Sequence, residues 1–217
     1  MALSPGIKEG PCLDLGCGFG GTIDQMHKYG FHSIHGVDID RSSIDYARQH
    51  YPEIPFYCAD ATQVSTLFVP QFFSFISLFS VIYAIEDKRK LLGSLSTVAK
   101  PGALLALFDY TIKKSSFPEK DLAGKSMFPM TLSSLTTNLE ETGWEILQID
   151  DLSSQFLAWY RALLAKIKTD EAALGKEFPP RDILKVTATF TTMKDWLKHS
   201  KLGGALVLAR RKAFLKT

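Results

Sequence analysis

The stretch Leu13-Asp14-Leu15-Gly16-Cys17-Gly18-Phe19-Gly20 decides the reading of this chain. Leu13 and Leu15 flank an acid at the two-residue repeat of a β-strand. Three glycines then alternate ahead of a helical stretch. Glycine lets the backbone turn sharply and leaves bare amide groups open to a ligand. Several nucleotide-binding folds use such a turn, so the acid in front of it carries the discrimination. Asp14 falls two residues before the first glycine, at the tip of the strand. A carboxylate there would repel a pyrophosphate and suits a ligand carrying positive charge. The competing reading of the octet is an ordinary strand-to-helix turn.

Outward from this stretch the chain alternates strand and helix, the pattern of a parallel sheet covered on both faces. Strands are expected over residues 11–15, 32–38, 55–59, 73–79, 103–110 and 144–150, with a last one over 205–209 after Gly203-Gly204. Helices are expected over 21–29, 42–50, 91–98 and 132–141, the third stopped by Pro101-Gly102. The nearly continuous apolar run at 73–79 is what a strand buried on both faces requires.

About fifty residues between the sixth and last strands exceed what such a sheet needs. Ser153 can cap a helix with Phe156, Tyr160, Leu163, Leu164 and Ile167 on one stripe. A second helix over 181–198 carries Ile183, Val186, Phe190, Met193 and Leu197, after a turn containing Gly175 and Pro179-Pro180. Both stripes read first as core contacts. If the last strand runs antiparallel to the sixth, the insertion springs from the carboxyl edge of the sheet, where ligands of open α/β sheets bind. Residues 151–201 are then a candidate lid within one domain spanning 1–217, as is the loop from Ile112 to Met130.

Two further motifs end in acids. His35-Gly36-Val37-Asp38-Ile39-Asp40 places Asp38 at the tip of the second strand, about twenty residues beyond the glycine turn. An acid there can accept both hydroxyls of a ribose, a spacing shared with NAD-binding folds. Asp40 reads as a helix cap or a solvated acid. Cys58-Ala59-Asp60-Ala61 follows the third strand, where a carboxylate can accept from an adenine amino group and the next amide can donate to the ring. Asp60 can equally serve a turn or cap.

Together, D-x-G-x-G-x-G and the acids closing three successive strands resemble the motifs of the class I S-adenosylmethionine-dependent methyltransferases. The resemblance covers residues 11–113 and implies a Rossmann-like three-layer sandwich. Its sheet would have seven mostly parallel strands and an antiparallel last strand, with the helical insertion between strands six and seven. S-adenosyl-L-methionine is the implied cofactor, held by Asp14, Gly16, Cys17, Gly18, Asp38, Ile39, Asp60 and Ala61, with Ile39 against the adenine. In Leu78-Phe79-Ser80-Val81-Ile82-Tyr83-Ala84-Ile85-Glu86-Asp87 the family implies that Leu78 and Phe79 give a carbonyl contact and a wall. Ser80 and Tyr83 would approach the sulfonium, although Tyr83 can also be a packed aromatic. Many small-molecule members carry an acid near the position of Ser80 and a histidine at that of Ala84; this chain has neither. Many also carry an amino-terminal helix over the cofactor. Here about ten residues precede the first strand, so that cover is expected to be missing or supplied by the insertion.

Composition narrows the partners. The 217 residues carry 25 Lys and Arg against 23 Asp and Glu, a net charge of +2, which makes no electrostatic case for nucleic acid or a membrane surface. The basic tail from Arg210 to Thr217 reads as a solvated end. Cys12, Cys17 and Cys58 form no C-x-x-C pair, which argues against a disulfide framework or a zinc site and fits a reducing cytoplasm. No signal peptide is visible, and the longest apolar stretch, 72–85, is too short to span a bilayer.

A methyl on a sulfonium is already activated, so its transfer is an in-line displacement governed by placement of the acceptor. With no histidine at 84, transfer to a small-molecule acceptor is expected to be driven mainly by proximity. Tyr83, Tyr110 and Tyr160 are the candidate catalytic groups, and Ser80, Asp109, Trp159 and Arg161 the candidate acceptor contacts. Arg161 lies off its apolar stripe and reads either as solvated or as a carboxylate clamp. The rival functions are a non-catalytic S-adenosylmethionine-binding module and a protein or nucleic-acid methyltransferase, the latter lacking its N-P-P-Y-like tetrad. A nicotinamide dehydrogenase would need a phosphate-compatible turn in place of Asp14.

Overall fold

A computed structural model describes residues 5–113 and 127–213. Most of the expected loop at 112–130 and the end of the basic tail therefore lie outside the described residues. In chain order the elements are α1 (Pro5–Glu9), β1 (Cys12–Leu15), α2 (Gly21–Lys28), β2 (Ile34–Asp38), α3 (Arg41–His50) and β3 (Phe56–Cys58). There follow α4 (Val64–Leu67), β4 (Phe73–Phe79), α5 (Lys88–Val98), β5 (Ala99–Ile112), β6 (Met130–Thr131) and α6 (Leu132–Glu141). The remainder is β7 (Trp144–Asp151), α7 (Ser153–Thr169), α8 (Glu171–Glu177), α9 (Pro180–Lys198) and β8 (Leu202–Arg211).

Seven strands lie in the order β3-β2-β1-β4-β5-β8-β7, parallel except for β8, which is antiparallel to both neighbours. The two-residue β6 adds an eighth by pairing with Thr111 and Ile112 of β5. It is too short to show alternation, and its Thr131 is chiefly the cap of α6, accepting from the Ser134 amide. Strand order reverses between β1 and β4. The crevice at their carboxyl ends is therefore the place where such sheets bind ligands.

The local chemistry explains the elements around that crevice. Every residue of β1 is buried, as a central strand requires. Leu13 and Leu15 face a core built with Leu91, Leu92 and Leu95 of α5. Cys12 faces Ile23, Met26 and Ile44 of α2 and α3 on the other side. Asp40 caps α3, accepting from the Ser43 amide at 3.1 Å, and the Ser43 and Ser42 hydroxyls beside it lower its carboxyl to about 2. Asp87 caps α5 through the Lys90 amide, which starts that helix three residues before the expected boundary.

The insertion holds three helices; the expected turn around Gly175 is the short α8. It enters from β7 and returns into β8, where Asp151 pairs with Ala205 and the Leu152 amide donates to the Gly204 carbonyl at 2.8 Å. A Cβ on Gly204 would lie 2.5 Å from the Phe156 ring, so glycine lets α7 sit directly on β8. Ser153 does not cap α7 as expected, because its hydroxyl accepts from the Gly204 amide while Asp151 accepts the Ser153 amide. Phe156, Tyr160, Met193 and Leu197 are buried with Ile112 and Leu202, whereas Leu163, Leu164 and Ile167 are only half-buried and Val186 is exposed. The two stripes thus make core at the base of the insertion and leave its far end open. Among the described residues no helix is long and apolar enough to cross a membrane.

Candidate active site

The glycine turn is tied down by β2. The Gly16 and Cys17 amides donate to the Val37 carbonyl at 2.7 and 3.1 Å, and the Gly18 amide donates to Asp38 Oδ2 at 2.8 Å. Asp38 Oδ1 accepts from the Asp40 amide. Gly16 has a φ of 77°, and a Cβ there would come within 2.2 Å of Val81 Cγ2, so the loop after β4 sits directly on the turn. The placement corrects two expectations. The Cys17 side chain packs in the core beneath the turn, where burial pushes its thiol up, and its amide is spent on Val37. The Gly18 amide is likewise spent on Asp38.

Asp14 lies below this turn, 2% exposed. Its Oδ1 accepts from the Ser77 hydroxyl at 2.8 Å, and its Oδ2 is buried without a partner. Burial pushes its carboxyl up to about 6.

Above the turn is a cavity of about 490 Å³, lined by Gly16, Asp38, Ile39, Asp60 and Ala61 on one side and by Ser80, Val81, Ala84 and Phe128 on the other. Among the described residues its ionisable lining is acidic: Asp38, Asp60, Glu86 and Asp87, with no lysine or arginine. Asp60 spends Oδ1 on the Thr62 amide, as the cap reading had it, and lines the cavity as well. A phosphate-bearing nucleotide finds no cation among the described residues of this lining. A ligand with a sulfonium, an ammonium, a ribose and an adenine fits it, with the orphaned Asp14 oxygen beneath as a further anionic group.

Two more cavities adjoin it, of about 600 and 410 Å³. Ser80 lines all three, held by its amide on the Phe108 carbonyl at 2.7 Å and at a φ of 59°. Tyr110 and Trp159 line both of the additional cavities, and Tyr83 and Tyr160 line the larger. The Tyr110 and Tyr160 hydroxyls are 2.6 Å apart, and the Tyr83 ring meets Tyr110 edge-on at 5.2 Å. Burial pushes all three phenols up, so they stay protonated. The sequence-expected tyrosines and Trp159 are therefore brought together beside Ser80.

Four expected site residues stand elsewhere. Asp109 is 1% exposed and lines none of these cavities; its oxygens accept from the Val81, Ile82 and Tyr110 amides, each at 2.7 Å. It shapes the loop after β4 from behind, and burial pushes its carboxyl up to about 6. Arg161 is exposed on the outer side of α7, outside these linings. The Leu78 side chain is fully buried in the core and Phe79 packs edge-on against Phe108; neither residue is among those lining these three cavities.

The structure also brings in residues that the sequence left aside. The Phe128 amide donates to the Tyr83 carbonyl at 2.6 Å. Lys88, 5% exposed, donates from Nζ to the Phe128 carbonyl at 2.7 Å and to the Ile85 carbonyl. This buried ammonium, lowered by burial to about 8, fixes Phe128 at the acid-lined cavity. On α9, Asp182, Lys185, Val186, Thr189, Phe190 and Met193 form one face toward the largest cavity. Their i, i+3, i+4, i+7 spacing was visible in sequence, but only the apolar members stood out.

Comparison with known proteins agrees with this geometry. Residues 13–107 match the family model described as a methyltransferase domain. An O-methyltransferase of Aspergillus sclerotiorum, resE, is 27% identical over 213 residues, covering 92% of this chain and 75% of the relative. A phosphoethanolamine N-methyltransferase of Triticum aestivum is 26% identical over 84% of this chain but only 36% of its own length. Phosphoethanolamine N-methyltransferase 2 of Haemonchus contortus, solved with phosphomonomethylethanolamine and S-adenosylhomocysteine, superposes with a TM-score of 0.86 at 18% identity. That superposition covers 94% of this chain and 49% of the other. The glycine turn, the acid-lined cavity and the strand order agree with these matches: residues 13–107 are similar to a methyltransferase domain, and the chain shares its fold with a methyltransferase solved with S-adenosylmethionine or S-adenosylhomocysteine.

Proposed function

We propose that this protein transfers a methyl group to a small-molecule acceptor seated beneath α7 and α9. The observation that supports this most is the position of Ser80, where the acid-lined cavity meets the two aromatic ones. Bound S-adenosylmethionine supplies a methyl group activated by its sulfonium. Asp38 then holds the ribose hydroxyls with the lone pairs left free by Gly18 and Asp40, and Asp60 and Ala61 meet the adenine edge against Ile39. The negative lining stabilises the cofactor's positive charges. Tyr83, Tyr110 and Tyr160 position the acceptor and keep water away from it, so that placement supplies most of the acceleration. The α7–α9 helices act as the lid of a single domain, and the cytoplasm is the site of action.

Calorimetric titration with S-adenosylmethionine and S-adenosylhomocysteine, with NADH as control, tests the cofactor half of this proposal. Micromolar binding of the adenosyl ligands alone is expected. Methyl turnover on any small acceptor then separates an enzyme from a binding module; binding without turnover across amines, acids and phenols would favour the module.

A further inference from the structure

The acceptor-side cavities exceed the needs of a small amine or amino acid. Water's share of liquid volume is about 30 Å³, so the 600 Å³ cavity has room for roughly twenty heavy atoms. It is also long: Lys185 precedes Met193 on α9 by two turns and more, a rise of about 12 Å. Met193 is buried at the base beside Tyr160, and Lys185 stands at the outer end. Between them the lining is mostly apolar, with Met127, Phe190, Trp159 and Val186, and carries the Thr189 hydroxyl. Trp159, 55% exposed, is shared with the second cavity, whose lining adds Phe108 and Phe156.

The polar groups at the inner end donate and do not accept protons. Of the two O–H groups in the Tyr110–Tyr160 pair, one is consumed between the hydroxyls and one remains to donate. Asp109 has its oxygens on backbone amides behind the loop. Among the described residues of these two linings Asp182 is the one carboxylate, and it sits at the outer end, one turn from Lys185. On the side of these two cavities, an acceptor seated at Ser80 therefore meets no carboxylate among the described residues at the inner end.

Resting on the methyl-transfer reading above, we propose that the acceptor is an elongated, ring-bearing oxygen acid whose ionised oxygen sits at Ser80 beneath the Tyr110–Tyr160 pair and whose apolar body runs past Trp159 toward Lys185. A phenol or carboxylic acid that has already lost its proton to water meets this description. An oxygen lone pair forms the bond to the methyl carbon as the sulfur–methyl bond breaks. The electron pair goes to sulfur, giving a thioether, and no proton needs a place.

The test uses 4-hydroxybiphenyl, its more acidic 3-chloro derivative, and phosphoethanolamine. The chloro compound should quench tryptophan fluorescence in the wild type and not in Trp159→Phe, whose remaining Trp144 and Trp196 lie outside these linings. With S-adenosylmethionine bound, it should be methylated at least tenfold faster than phosphoethanolamine. The inflection of kcat/KM with pH should fall lower for the chloro compound than for its parent, by the difference in the two phenols' own acidities. Absence of Trp159 quenching, absence of biphenyl methylation with cofactor bound, faster turnover of phosphoethanolamine, or one inflection common to both phenols would each overturn the proposal. If biphenyl quenching is present and S-adenosylmethionine fails to bind by calorimetry, the methyl-transfer reading falls while the cavity assignment stands.

Discussion

The Gly18 amide donates to Asp38 Oδ2 across 2.8 Å, so the acid that ends β2 also shapes the glycine turn that ends β1. Asp38→Ala removes both that support and the ribose acceptor. Loss of charge-assisted hydrogen bonds of about 1.5–3 kcal/mol predicts a ten- to hundredfold weaker affinity for S-adenosylmethionine by calorimetry. Unchanged affinity would remove Asp38 from the site.

Gly16 holds a φ of 77° with Val81 Cγ2 2.2 Å from where a Cβ would lie. Gly16→Ala should cost about 1–2 kcal/mol from the left-handed backbone alone, and more from the clash. Adding Val81→Ala should restore only the steric part. Thermal melts of the single and double variants check this, and full rescue by the second change would show that backbone strain is absent.

Asp14 titrates at about 6 in the fold, above its ordinary 3.8, because it is buried. The folded state therefore holds this proton more tightly than the unfolded chain. The stabilisation is fully present below about pH 4 and is lost as pH rises through about 6. Asp14→Asn should flatten that slope and raise the unfolding free energy at pH 7, by up to about 3 kcal/mol, with a higher melting temperature. Binding of the cationic cofactor favours the ionised form, so wild-type affinity should strengthen between about pH 5 and 7, and the variant's should not.

The 2.6 Å contact between the Tyr110 and Tyr160 hydroxyls joins β5 to the insertion. A double-mutant cycle with Tyr110→Phe and Tyr160→Phe should return a coupling of about 0.5–1.5 kcal/mol in denaturant unfolding. A coupling near zero would mean that the phenols do not hold the insertion in solution.

The legible part of the molecule was whatever is local in sequence. Asp14, Asp38 and Asp60 each lie within two residues of a strand's carboxyl end, and the glycine turn follows the first of them, so strand alternation and spacing place them at one edge of the sheet. What pairs across the chain could not be read that way. Val81 on Gly16, and Lys88 on Phe128, join segments whose meeting depends on strand order. Asp109 shows the same limit from the other side: an acid near the end of a strand has one sequence signature whether it faces a cleft or the amides of a neighbouring loop. In α9, Lys185 and Thr189 share a face with Phe190 and Met193, and the apolar stripe drew attention from the polar members.

Asp151 and Ala205 are paired neighbours on antiparallel strands, so the insertion leaves and rejoins the sheet through a single two-stranded stem. The helices that wall the two aromatic cavities thereby enter and leave through one place, opposite Ser80, Tyr83 and Tyr110 on the sheet side. On the methyl-transfer proposal, replacing α7–α9 by helices of another shape should change which acceptors are methylated while affinity for S-adenosylmethionine is kept.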